Sequence, residues 1–85
     1  MEIEFDPAKD AANIEKHGIS LARAADFTSL DVKLDTRFDY GEERYRAWGL
    51  IDGEVYCFAF TARGDRVRAI SLRRAHDKEF KRNVR

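Results

Sequence analysis

Arg44-Tyr45-Arg46-Ala47-Trp48-Gly49-Leu50-Ile51, then Asp52-Gly53, then Glu54-Val55-Tyr56-Cys57-Phe58-Ala59-Phe60-Thr61-Ala62 is the stretch that decides the fold. Two runs rich in aromatic and β-branched residues flank an Asp-Gly pair. That pair suits the positive φ angles of a two-residue hairpin turn, so the runs read as adjacent antiparallel strands. Gly64-Asp65 marks a second hairpin into Arg66-Val67-Arg68-Ala69-Ile70-Ser71-Leu72-Arg73-Arg74. Strand alternation places Trp48, Leu50, Tyr56, Phe58, Phe60, Ile70 and Leu72 on a face packed under helices. Tyr45, Ala47, Cys57, Ala59, Thr61, Arg63, Val67, Ala69, Ser71 and Arg73 then line an open face, with Arg66, Arg68 and Arg74 on the other parity.

Outward toward the amino terminus, Glu2 to Phe5 alternates polar and apolar residues and reads as a short strand. Asp6-Pro7 is an N-cap followed by proline at the first helical position, where its missing N–H costs nothing. The helix runs through Ala8, Ala11, Ala12, Ile14 and Glu15 and stops at His17-Gly18, with Gly18 left-handed. Ser20 caps a second, shorter helix from Leu21 to about Phe27. Val32 and Leu34 alternate with charges, Asp39-Tyr40-Gly41-Glu42 reads as a turn, and Ala75 to about Val84 closes the chain as a helix. The expected class is α+β, with two N-terminal helices packed on a twisted antiparallel sheet and a C-terminal helix.

Eighty-five residues make one domain, 1–85. A chain of this size buries roughly 60–65% of its unfolded surface, and 44% hydrophobic residues suffice for a thin core. Cys57 is the single cysteine, which excludes an internal disulfide and points to a reducing cytoplasm. It lies in the apolar run Val55 to Phe60 with no histidine near it in sequence, as a core thiol would. The amino terminus Met1-Glu2-Ile3-Glu4-Phe5 is acidic and has no long apolar run, and no stretch approaches the ~20 residues of a membrane span.

Charge carries the functional signal. The formal net charge is zero, yet residues 1–40 hold five Lys/Arg against nine Asp/Glu, while residues 41–85 hold eleven against seven. The last block, Arg63 to Arg85, has nine basic residues and three acidic ones. Guanidinium groups on ordered structure match phosphate oxygens, so this block reads as a polyanion surface. Asp35, Asp39, Glu42 and Glu43 flank a turn without a fixed ligand spacing to histidine and read as a solvated acidic loop. No glycine-rich phosphate loop, zinc signature or Ser-His-Asp arrangement is present.

Three groups of residues resemble the BrnT family of ribonuclease toxins. The first is Phe5-Asp6-Pro7-Ala8-Lys9 with Asn13-Ile14-Glu15-Lys16-His17-Gly18-Ile19-Ser20 and Ala24-Ala25-Asp26-Phe27. The second is Gly41-Glu42-Glu43-Arg44 with Gly49, and the third Thr61-Ala62-Arg63-Gly64 with Arg68-Ala69-Ile70-Ser71-Leu72-Arg73-Arg74-Ala75 and Glu79. The resemblance implies a RelE-like fold and an RNA-cleaving toxin that arrests translation, its RNA being either free RNA or mRNA at the ribosome. It implies a BrnA-like ribbon-helix-helix antitoxin as partner, with operator DNA reached only through that antitoxin. Members commonly carry a tyrosine four positions after the acidic residue matched by Glu79; here that position is Asn83.

Metal-free RNA cleavage needs a base for the 2′-hydroxyl, an acid for the 5′-oxygen, and cations where charge gathers on phosphorus oxygens. Arg63 and Arg73, at matching ends of neighbouring strands, are the candidates for the scissile phosphate, with His17, His76 and Glu79 for proton transfer. Arg68, Arg74, Lys78, Lys81 and Arg82 are candidates for binding RNA; no metal or cofactor is expected. Each has a plainer role as well: strand-edge arginines that blunt aggregation, a His17 matched to the helix dipole, a surface His76, and an i,i+3 pair at Glu79. Two other functions stay open. One is a non-catalytic partner of an antitoxin; the other is a DNA-binding helix-turn-helix, which the three basic and four acidic residues of segment 6–27 disfavour.

Overall fold

A computed structural model describes residues 2–84, so Met1 and Arg85, the last residue of the basic block, lie outside it. The elements are β1 (Glu2–Glu4), α1 (Pro7–His17), a 3-10 helix (Leu21–Asp26), β2 (Thr28–Leu34), β3 (Tyr45–Ile51), β4 (Glu54–Arg63), β5 (Arg66–Arg74) and α2 (Asp77–Asn83). The sheet order is β1-β5-β4-β3-β2. β2 to β5 form the expected antiparallel meander. No helix among the described residues is long and apolar enough to cross a membrane.

Two features overturn the expected fold class. The sheet is mixed, because β1 pairs parallel to β5, Ile3 opposite Val67, rather than beside a sequence neighbour. The second helix is a six-residue 3-10 turn, not an α-helix. Its three-residue repeat buries Leu21 and Ala24 on one line, and β2 starts two residues after it ends, leaving no space for another turn. α1 alone is a full N-terminal helix. Asp6 accepts a hydrogen bond from Ala8 N–H at 2.8 Å, and Gly18, at φ +72°, donates its N–H to Ile14 O at 2.8 Å.

Register also corrects the two faces. The Asp52-Gly53 turn pairs Ile51 with Glu54, so even residues of β3 lie opposite odd residues of β4, and Trp48 faces Cys57 and then Arg73. Ala47, Phe58 and Leu72 share the other face. There they join Leu21, Ala24, Ile51, Val67 and Ala69 in the main core, beneath α1 and the 3-10 helix. Trp48 is fully buried on the opposite face, with Cys57 and Ala75, against Phe80 and Val84 of α2 and its flank. A bulge at Ile70, between the pairs Ala59/Ser71 and Phe60/Ala69, shifts parity within β5. It brings Arg66 and Arg68 onto the face of Arg63 and Arg73, while Arg74 stays opposite.

One polar residue in the core ties these layers together. Asn13 is 5% exposed; its amide donates to Ile19 O at 2.8 Å and Leu72 O at 2.9 Å, and accepts from Leu72 N–H at 3.1 Å. β1 covers β5 only at Arg66 to Arg68, so at Leu72 the Asn13 amide stands where another strand's peptide group would be. The turn region departs from expectation at Asp35, whose side chain is 4% exposed. Arg37 donates two hydrogen bonds to it at 2.9 Å and Tyr40 Oη one at 3.0 Å. These bonds, Arg37's above all, hold the Asp35 carboxyl well below the usual carboxylate range.

Candidate active site

The arginines divide between the two ends of the β4–β5 ladder. Arg63 lies opposite Arg66 beside the Gly64-Asp65 turn, whereas Arg73 lies opposite Cys57. Six residues of β4 separate those positions, roughly 20 Å at about 3.3 Å per residue. The expected Arg63–Arg73 pair is therefore not formed. At the turn end Arg63 is 3.9 Å from Glu42, Arg66 is 3.4 Å from Glu2, and Arg68 is 3.8 Å from Glu4. Arg74, on the core face, reaches the Tyr56 ring at 5.6 Å and pairs with Glu54.

Arg73 is held in place by α2. Its Nη1 donates to Glu79 Oε1 at 2.9 Å and to Arg74 O at 3.3 Å, and its Nη2 donates to Glu79 Oε2 at 2.7 Å. A guanidinium has five N–H donors, so two stay available to a ligand. Trp48 Nε1 donates to Glu79 Oε2 at 3.3 Å. The Arg73 bonds first, then the Trp48 indole and the His76 backbone N–H, hold Glu79 down to about 2 against its burial. A carboxylate that acidic is a weak base at neutral pH and has no proton to give, so its chemical effect is to orient Arg73.

His17 lies within reach of the charge of Arg73, on the α1 side of β5. The end of α1 meets the uncovered edge of β5 in a cleft of about 190 Å³, lined by Lys9, Ala12, Asn13, Lys16, His17, Ile70 and Ser71. Burial first, then the charges of Lys16 and Arg73, pushes the His17 imidazole below its ordinary 6.5. Its partner histidine does not join it: His76 is exposed at the N-cap of α2, without a side-chain capping bond. Lys78, Lys81 and Arg82 project from α2, exposed. A larger depression, about 530 Å³, covers Ile3, Phe5 and the 3-10 helix, but Glu2 is its one charged lining residue, which is wrong for a polyanion.

Three cations on the face of Arg73 escape a sequence reading. The Arg46 guanidinium stacks 5.0 Å over the Trp48 ring, and its buried Nε has no hydrogen-bond partner. Lys33 Nζ is 5.8 Å from the same ring and 3.4 Å from Asn83 Oδ1. Arg37, from the turn, also acts on this face, since its charge reaches Arg73 and Cys57. The Arg46-Ala47-Trp48 spacing was the one legible signal, an arginine and an indole two apart on a strand. Burial pushes the Cys57 thiol up despite these cations, which keeps it protonated as a core residue. Among the described residues no three His, Cys, Asp or Glu side chains converge as a metal site requires.

A family model described as the ribonuclease toxin BrnT of type II toxin-antitoxin systems matches residues 5–79. No curated protein matches the chain.

Proposed function

The chain belongs to the BrnT family of ribonuclease toxins of type II toxin-antitoxin systems, and from that premise we propose an endoribonuclease that works without a metal, centred on His17 and Arg73. The observation that carries this reading is the approach of the α1 terminus to the open edge of β5. It sets a depressed imidazole at the edge of the strand that carries Arg73, whose charge reaches it and whose guanidinium keeps two donors unused. His17, largely neutral near pH 7, takes the 2′-hydroxyl proton as that oxygen attacks the adjacent phosphorus. The P–O5′ bond breaks, the 5′-oxygen takes a proton from water at the open face, and a 2′,3′-cyclic phosphate is left. Arg73, oriented by Glu79, donates to the non-bridging oxygens as charge gathers there, which is the service a metal would otherwise give.

Membership of the family implies an antitoxin partner. In this reading that partner is a BrnA-like ribbon-helix-helix protein, operator DNA is bound through it, the compartment is the cytoplasm, and loss of mRNA arrests translation. Arg46 and Lys33 extend the cationic face, with Lys78, Lys81 and Arg82 as outlying RNA contacts.

The test is cleavage of single-stranded RNA by the purified chain in EDTA, with the product ends identified. Cyclic phosphate ends are expected, and Arg73→Ala should cut kcat about 100- to 1,000-fold with the circular dichroism spectrum kept. RNA that stays intact with a correctly folded chain, or cleavage restored only by divalent cations, would overturn the reading.

A further inference from the structure

The cations of the sheet are mostly answered by carboxylates. Arg63, Arg66, Arg68, Arg73 and Arg74 each have an acidic partner. The cleft between α1 and β5 is different. Lys9 and Lys16 lie two turns apart on one face of α1, as a seven-residue spacing requires. Neither forms an ion pair among the described residues, and no acidic side chain lines the cleft. Its walls are fixed rather than adaptable, because Asn13, between the two lysines, is bonded to both backbone groups of Leu72. Its volume is several times a water's ~30 Å³ share of the liquid. Ser71 supplies a hydroxyl on the strand side, and the next residue on that face is Arg73.

We infer that this cleft seats a backbone phosphate of single-stranded RNA, the neighbour of the phosphate that is cut, with Lys9 and Lys16 as its charges and Ser71 as a neutral donor. This rests on the nuclease reading above, and His17 stands at the junction of the two positions. Lysines suit the role because they bind phosphate as mobile point charges and do not demand one oxygen geometry. A phosphate here also acts on the chemistry. Its negative charge offsets Lys16 and raises the basicity of His17, so an occupied strand makes a better base than an empty cleft does. The pull of Lys16 and Arg73 on His17 in the free chain reports the positive field that such a phosphate would enter.

The chain has two histidines, which makes the test direct. The native chain is titrated with a 2′-O-methyl RNA tetranucleotide, which has no 2′-hydroxyl to attack, while NMR follows both imidazoles across pH. The expected result is a rise in the His17 pKa, with His76 moved little, and loss of that rise in the Lys9→Gln/Lys16→Gln double variant. In salt titrations the same variant should bind with a log–log slope smaller by about 0.7, one single-strand phosphate contact. Three outcomes would overturn the inference: RNA binding that leaves His17 unmoved, a double variant that keeps both the shift and the slope, or a shift with inorganic phosphate and none with the oligonucleotide. Failure of ordinary RNA to be cleaved would sink the nuclease reading and leave this titration readable by itself.

Discussion

Asn13 is the residue on which the layers depend. Removing its amide leaves the buried Leu72 N–H and C=O without partners, at about 1–3 kcal/mol each. Asn13→Ala should therefore lower stability by about 2–6 kcal/mol, read as the urea midpoint. Asn13→Asp should be at least as damaging, since a carboxylate cannot donate to Leu72 O or Ile19 O. A change below 0.5 kcal/mol, taken as roughly the noise of a neutral surface substitution, would show that the amide is not needed. His17 gives a prediction in rate. A base whose pKa lies below 6.5 sets the acid limb of kcat/KM below that value. Changing Lys16 to Gln removes one depressing charge and should move the limb to higher pH; an unmoved limb would mean that another group is the base.

At the scale of elements, the β2–β3 pairing and the docking of α2 decide whether the site forms. Gly49 marks where β3 passes under the end of the 3-10 helix. A Cβ there would lie 2.1 Å from Thr28 O and 2.8 Å from the Phe27 ring. Backbone cannot yield that far while the ladder is kept, so Gly49→Ala should cost at least about 2 kcal/mol and loosen β2 before the rest. Hydrogen exchange would show this as protection lost first at Thr28 to Leu34. Uniform loss across the sheet would place the strain elsewhere. α2 is only seven residues long, too short to be stable alone. It is held by Phe80 against the Trp48 cluster and by the Arg73–Glu79 pair, so the same contacts that fix the helix also aim Arg73.

For the whole molecule, three groups give stability the same dependence on pH. Asp35 and Glu79 have folded values below their unfolded ones, so what they contribute is present above the ordinary carboxylate range and lost as pH falls through the folded value. For Glu79 the window runs from 4.5 down to about 2. His17 is depressed as well, so its protonation below 6.5 favours the unfolded chain and adds to the loss. Urea midpoints should fall steadily on acidification, and Glu79→Gln should flatten the segment below 4.5. An equally steep fall in that variant would assign the acid sensitivity to Asp35 alone.

The order of the central strands, both hairpin turns, the caps of α1 and the family were legible in the chain. Each depends on residues within a few positions of one another: Asp52-Gly53, Asp6-Pro7, His17-Gly18. His17, Arg73 and Glu79 were legible as residue types for the same reason. Tertiary structure decided the rest, because parity, register and parallel pairing are set by partners distant in sequence. The register of the Asp52-Gly53 turn moved Trp48 to the other face, the tight Gly64-Asp65 turn set Arg63 far from Arg73, and the bulge at Ile70 turned Arg66 and Arg68 over. β1 chose β5 over its neighbours, a three-residue repeat replaced a helix, and Asn13 found Leu72 across 59 positions. The sequence by itself determined which groups were available for phosphate chemistry. Only folding decided that His17 would come within reach of the charge of Arg73, because no local rule joins the end of α1 to the free edge of the last strand.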